Sequence, residues 1–338
     1  MLHPGERIGF RFEAMAPRFA AMTQYQSAAS LSQRPSAPAP ERAAPPDLAP
    51  HRKQAPMHDR ANNPPTAATP SADGAPADPA PAQLRMIPIP RLAAHGRWRV
   101  EAMRSLNEPM LLWFTRGQGR ITVSGVTRGY GPHNAIFLPA GVMHGFDVSS
   151  HVFGTAVFFG AARGLPLPET PLHLRIRDQQ PQAELTGILD NIHRELEGGR
   201  PGYDRAAGHH LGLLGVWIER QVAAQDGAPA PDAAARLVAR FTALVERDFR
   251  SGLGVADYAA ALGVTPTHLT RVCRQCCGRS AHEIVQDRVL FEARKLLKET
   301  DLPVGEVSRA LGFTTAAYFT RAFQNAVGKT PSAFRRGA

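Results

Sequence analysis

Apolar residues recur at two spacings along this chain, and the switch between them divides it. From residue 86 the pattern is that of short strands. Met110-Leu-Leu-Trp-Phe114 is a continuous apolar run, and Ile121-Thr-Val-Ser124 alternates. Ala135-Ile-Phe-Leu138 and the stretch 151–159 read as further strands. Arg116-Gly-Gln-Gly-Arg120 and Pro139-Ala-Gly141 supply turns between them. Short strands with Gly-rich turns predict a β-rich sandwich or barrel over residues 86–178.

Spacings of three and four then take over. Leu185, Ile188, Leu189 and Ile192 form one stripe within 182–196. Leu211, Leu214, Trp217 and Ile218 form another within 203–222. Such stripes predict two helices over 179–224, one packed on the strands and one able to pair subunits. Residues 225–231, rich in Ala, Gly and Pro, read as a linker.

Residues 232–338 predict an all-α segment. Asp232 is placed to cap a helix over 232–249 with Leu237, Phe241, Leu244 and Val245 inward. A short helix over 255–262 stops at Gly263, Val264 plugs the turn, and Thr265-Pro266 opens the next helix. That helix ends near Cys277 at Gly278. The pattern recurs: a short helix over 304–311, a turn at Gly312-Phe313, a cap at Thr314 or Thr315, and a helix ending at Gly328. The two turns lie 49 residues apart. Between them, 281–299 predicts one helix with Ile284, Val285, Val289, Ala293, Leu296 and Leu297 on its buried side. Nineteen residues span about 28 Å, close to the roughly 34 Å repeat between major-groove openings on one face of B-DNA. Two helix-turn-helix units on such a spacer could reach adjacent turns of one duplex.

Charge supports an anionic partner for this segment. The chain carries +10, and residues 232–338 hold sixteen Lys/Arg against ten Asp/Glu, a surplus of six. Residues 1–85 and 86–231 each carry a surplus of only two. The first 85 residues hold fifteen of the thirty prolines and cannot bury enough apolar area to repay ordering. They read as a disordered tail, or as a mis-assigned start with translation from Met57 or Met86. Cys273, Cys276 and Cys277 sit too close together to build a disulfide framework, which points to a reducing, cytoplasmic setting. No apolar stretch is long enough for a membrane span, and no metal or cofactor set is expected.

Residues 232–336 resemble the DNA-binding domain of the arabinose-operon regulator (AraC/XylS-type) transcription factor family. The resemblance is carried by Pro303-Val-Gly-Glu-Val-Ser-Arg-Ala-Leu-Gly-Phe-Thr-Thr-Ala-Ala-Tyr-Phe-Thr-Arg-Ala-Phe-Gln-Asn-Ala-Val-Gly-Lys-Thr-Pro331 and the following Ser-Ala-Phe-Arg335. His268-Leu-Thr-Arg-Val272 and Ala293-Arg-Lys-Leu-Leu297 match as well. More loosely, Gly117-Gln-Gly-Arg120 and Phe137-Leu-Pro-Ala-Gly-Val-Met-His144 resemble the family's cupin-like effector domain, with Ala140 where that motif has proline. The fold class expected is therefore mixed, a β-rich cupin-like barrel domain followed by an all-α domain with two helix-turn-helix units.

The resemblance implies a sequence-specific, effector-controlled transcriptional regulator that binds double-stranded DNA, forms a homodimer and could contact RNA polymerase. It also implies that the middle of each second helix faces base edges. This points to Thr267, Thr270 and Arg271 in the first unit and to Ala316, Ala317, Thr320 and Arg321 in the second. Arg can donate twice to guanine, and Thr and Ala methyls can meet a thymine methyl. Thr265, Arg274, Arg279, Thr314 and Lys329 are candidate phosphate contacts. For the effector pocket the candidates are Trp113, Phe137 and His144. The two aromatic residues could instead be core, and His144 could cap a turn. His133 and His144 alone do not make a metal site. Cys273 stands where the family has an aromatic residue; the three thiols either fill core space or form a redox or metal switch. Two other classes remain at this point, an enzyme built on the barrel and a DNA-binding protein without an effector.

Overall fold

Residues 83–94, 96–160, 165–224 and 231–337 are described by the computed structural model. The expectations for residues 1–85 and for the linker fall almost wholly outside the described residues.

The β-rich part runs β1 (Arg85–Pro88), α1 (Ile89–Leu92), α2 (Trp98–Glu101), β2 (Met110–Arg116), β3 (Gly119–Val123), β4 (Val126–Tyr130), β5 (Asn134–Leu138), β6 (His144–Phe146), β7 (Phe153–Phe158) and β8 (Leu172–Arg175). Two helices follow, α3 (Gln179–Gly198) and α4 (Tyr203–Ala224). The strands form two antiparallel sheets, one ordered β1-β7-β2-β5-β8 and one ordered β4-β3-β6.

These sheets do not close on each other, so the expected cupin-like barrel is corrected to two stacked open sheets. The edge strands β1 and β8 of one sheet pair with neither edge strand, β4 or β6, of the other, and the chain crosses between the sheets at Gly117. The Gly-rich turn after β2 joins no hairpin: β2 pairs with β5 and β7, while β3 pairs with β4 and β6. Gly117 has φ +84, and a Cβ there would lie 2.5 Å from the His151 carbonyl oxygen. Only glycine lets the chain turn so tightly against that backbone and cross from one sheet to the other.

The continuous apolar run of β2 is explained by burial on both faces. Met110, Leu112 and Phe114 face the space between the sheets, with Ile121, Tyr130, Ile136 and Phe146. Leu111 and Trp113 face the helices, with Ala135, Phe137 and Val157 beside them. The α3 stripe Leu185, Leu189 and Ile192 and the α4 stripe Leu211, Leu214, Trp217 and Ile218 cover that second face. Each such aliphatic side chain contributes about 1.5–3 kcal/mol by leaving water.

Among the described residues seven helices make up the C-terminal part: α5 (Ala233–Asp248), α6 (Val255–Ala261), α7 (Pro266–Cys277), α8 (Ala281–Glu299), α9 (Val304–Ala310), α10 (Ala316–Val327) and α11 (Pro331–Arg336). Asp232 caps α5 by accepting from the Ala235 N–H at 2.7 Å. Ser280 and Glu283 form a capping box at the start of α8. Val238, Phe241, Val245, Leu269, Val272, Ile284, Ala293, Leu297, Phe319 and Phe323 are all buried in one core.

The β-rich part docks on this core at two places. Met103 and Met143 are 1% and 2% exposed and belong to the same cluster as Val238 and Phe241. Beside them, the β3–β4 turn presses Gly125 onto α5, where a Cβ would come within 2.2 Å of Val238 Cγ1. At the second place Trp98 reaches the far end of the helical part, with ring centroids 5.6 Å from Phe291 and 6.3 Å from Phe334. Arg99 there pairs with Glu299 at 3.2 Å.

Candidate nucleic-acid interface

Two helices of equal length, α7 and α10, are built alike because their sequences place the same devices at the same offsets. Thr265 accepts from the His268 N–H at 3.2 Å and Thr315 from the Tyr318 N–H at 3.2 Å. Each helix has twelve residues and ends on a left-handed glycine, Gly278 or Gly328. The inward positions are Leu269, Val272 and Cys273 in α7, and Phe319 and Phe323 in α10. Thr265, Thr267, Thr270 and Arg271 thus correspond to Thr315, Ala317, Thr320 and Arg321 at a constant offset of fifty.

That offset exceeds the 49 between the turn glycines because the second turn holds one more residue. Thr315, rather than Thr314, is therefore the cap of α10. Thr314 sits one position earlier and is exposed.

Burial on one side leaves a polar strip on the other. Thr267, Arg271, Arg274, Ala316, Ala317, Arg321 and Lys329 are exposed, and Thr270 and Thr320 are half-buried. Among the described residues none of Arg271, Arg274, Arg321 and Lys329 is paired with a carboxylate. Their charges face outward. Arg279 differs: its guanidinium pairs with Asp287 on α8. Burial raises the Asp287 carboxyl against the pull of Arg279.

Two further residues on these helices lie outside the candidate set, one exposed and one half-buried. Tyr318 is 55% exposed on α10 and is the counterpart of His268 on α7. His268 itself holds Arg271 through a 3.1 Å contact between Nδ1 and Nη2. The available signal was their spacing of three from Arg321 and Arg271, which puts each pair on one helix face.

The connecting helix α8 is fixed by charge as well as by packing. Arg288 is 5% exposed and grips Glu246 of α5 with two bonds, Nε–Oε2 at 2.6 Å and Nη2–Oε1 at 3.0 Å. It also donates to Glu292 at 3.0 Å, and Arg250 meets Glu292 at 2.7 Å. Burial would raise the Glu292 carboxyl; the two guanidinium groups outweigh it and hold the carboxyl below its ordinary range. This network ties α5 to the nineteen-residue α8.

All three cysteines are free thiols. Burial pushes Cys273 up to about 12 and raises Cys276 and Cys277 as well. These thiols resist forming thiolate, the species that reacts or binds metal. Among the described residues no group of three or more His, Cys, Asp or Glu is arranged to hold a metal ion.

The three residues proposed for an effector pocket are not brought together. Trp113 lines a cavity of about 290 Å³ between the larger sheet and α3, with Met86, Leu189 and Asp190. Phe137 is fully buried on the same face of that sheet. His144 lies on the other sheet, 1% exposed. Among the described helices none is long and apolar enough to cross a membrane.

The helix-turn-helix domain family matches residues 258–337. The arabinose operon regulatory protein of Escherichia coli strain K12 is 33% identical over 87 residues, 26% of this chain and 30% of that protein. The chain spans about a third of the length of the first curated relatives it matches. The probable transcription factor PqrA of Proteus vulgaris is 33% identical over 84 residues, 25% of this chain and 69% of that protein. Among solved structures, the C-terminal domain of AraT, a response regulator from Geobacillus stearothermophilus, shares 30% identity with a TM-score of 0.30. The alignment covers 32% of this chain and 89% of that one.

Proposed function

This chain belongs to the AraC/XylS-type family of helix-turn-helix transcription factors, and from that premise we propose that it is an effector-controlled regulator that reads duplex DNA with α7 and α10. Its relatives are regulators of transcription, and it is read with them as a regulator and not an enzyme. The observation that carries the reading is the repeat itself. Two outward strips at an offset of fifty, each with an arginine that no carboxylate among the described residues pairs, stand on a spacer helix of nineteen residues. Thr267, Thr270 and Arg271, with Ala316, Ala317, Thr320 and Arg321, supply base contacts. Thr265, Arg274 and Lys329 meet phosphates, and Thr314 lies near enough to the start of α10 to do the same. Arg279 can join them only by leaving Asp287.

The partners follow from the same reading. A small molecule bound to the β-rich part modulates DNA affinity. A second copy packs on α4, whose outer face leaves Leu213 54% and Val216 37% exposed. Isologous apolar patches of this kind are the usual basis of homodimers. RNA polymerase is the partner in activation, and the protein works in the cytoplasm. The test is a footprint of the full-length protein on DNA flanking its gene, with and without candidate metabolites. A protected site whose affinity falls steeply with salt and shifts with one metabolite is expected. Equal affinity for all duplexes at moderate salt would overturn DNA reading.

A further inference from the structure

Arg104 and His144 face each other across a two-residue antiparallel bridge. The Arg104 N–H donates to the His144 carbonyl at 3.0 Å, and the His144 N–H donates back at 2.7 Å. His144 stands two residues before Phe146 on β6, so both point to the space between the sheets. The Arg104 guanidinium carbon lies 5.7 Å from the Phe146 ring centroid.

Among the described residues both side chains are short of partners. Arg104 is 5% exposed, and its one side-chain hydrogen bond runs from Nη1 to the Val100 carbonyl at 2.7 Å. Among the described residues no carboxylate lies within ion-pair distance of it. A buried cation without a counter-charge is costly, and folds keep one rarely. His144 is 1% exposed; its Nδ1 meets the Val142 carbonyl at 2.9 Å, and its Nε2 is buried with no partner. Burial, and then the Arg104 charge, hold His144 down at about 3. It is neutral at neutral pH, with the proton on Nδ1 and a lone pair on Nε2. Burial lowers Arg104 to about 9, which leaves it cationic there. The pair therefore offers guanidinium donors and one acceptor, both unused.

We infer that Arg104 and His144 seat a small 2-hydroxycarboxylate, whose carboxylate accepts from the Arg104 guanidinium and whose hydroxyl donates to His144 Nε2. This rests on the effector-control reading above and gives that effector a chemical class. The site is wired to the DNA-binding part by covalent neighbours. Met103 and Met143, each one residue before a member of the pair, are packed in the core with Val238 and Phe241. Any adjustment of the bridge on binding is passed to the seat of α5.

The experiment uses the full-length protein with lactate, acetate and lactamide at matched ionic strength, read by thermal melting and by affinity for the footprinted DNA. Lactate should raise Tm by about 3 °C at saturation. Acetate, without the hydroxyl, should do less, and lactamide, without the charge, should do nothing. Arg104→Met should melt no lower than wild type in plain buffer and lose the lactate response. Arg104→Lys, which keeps the charge but not the planar fork, should respond at least tenfold more weakly. His144→Asn should bring lactate down to the level of acetate. A lactate response no larger than that of lactamide, or one retained in both Arg104 variants, overturns the site. A Tm response with unchanged DNA affinity keeps the site and overturns effector control. DNA affinity that shifts with another metabolite in Arg104→Met overturns the site and keeps effector control.

Discussion

Arg271 donates from Nη2 to Nδ1 of His268, one helical turn back on α7, across 3.1 Å. The imidazole thereby aims the guanidinium along the exposed strip, while Arg274 has no such tether among the described residues. Arg271→Ala should lose preference for one base pair, at a cost of about 1–3 kcal/mol for the cognate site. Arg274→Ala should keep its preferences, bind all DNA less well, and lower the salt slope by about one. Titration of single-base-substituted sites at two salt concentrations separates them. An equal loss on cognate and non-cognate DNA for Arg271→Ala would make that residue a phosphate contact.

Arg288→Ala should destabilise the protein by about 3–5 kcal/mol, because it leaves Glu246 without its partner and Glu292 with Arg250 alone. The urea midpoint of the full chain measures this. Arg321→Ala, on the exposed strip, should change the midpoint little. Similar midpoints for both variants would remove the network from the account of stability.

Acid should weaken the fold through His144. An unfolded histidine titrates near 6.5, whereas burial and Arg104 hold this one at about 3. Between those values the unfolded chain binds more protons. Stability present above pH 6.5 is therefore lost as pH falls toward 3. Burial lowers His173 in the same direction. From pH 6.5 to 5 the His144 share is up to about 2 kcal/mol. Urea midpoints at pH 7.5 and 5 should differ less in His144→Asn than in wild type; equal differences would clear His144.

Gly125→Val should lift the β3–β4 turn off α5, since its Cβ would collide with Val238 and the backbone there has φ +73. A fall in Tm of several degrees and faster hydrogen exchange in α5 are expected. Gly129→Val, on the same hairpin, has its nearest neighbour 3.9 Å away and should alter exchange in α5 little. No difference between the two variants would mean that the turn only rests against α5.

Leu213→Glu places a charge on the exposed face of α4, which the dimer reading covers with a second copy. Light scattering at micromolar concentration should show dimer for the wild type and monomer for this variant. A wild type that is already monomeric removes the dimer.

Local devices were legible in the sequence, and long-range pairings were not. Asp232, Thr265 and the closing glycines set helix ends through neighbours only a few residues away, so their roles show in the chain itself. The stripe of α8 showed Ile284, Ala293 and Leu297 for the same reason. Arg288 and Glu292 are buried beside them, but nothing local marks them as such, because Glu246, which pairs with Arg288, lies 42 residues away. The Gly-rich turn after β2 looked like part of a closing barrel because the backbone it avoids, at His151, is distant in sequence. Thr315 against Thr314 turned on a single extra residue in the second turn. Arg104 stands in a stretch without periodicity, where nothing in the chain announces burial.

Met103 and Met143 carry one further consequence. They fill space in a core that is otherwise encoded by residues 234–334. The helical part is thus incomplete by its own sequence and borrows two side chains from its neighbour. Cut at residue 232, it would expose an apolar socket at Val238 and Phe241, melt below the full chain and tend to self-associate there. Unfolding of the described parts should be one cooperative event, with the strands serving as the lid of the structure that reads DNA.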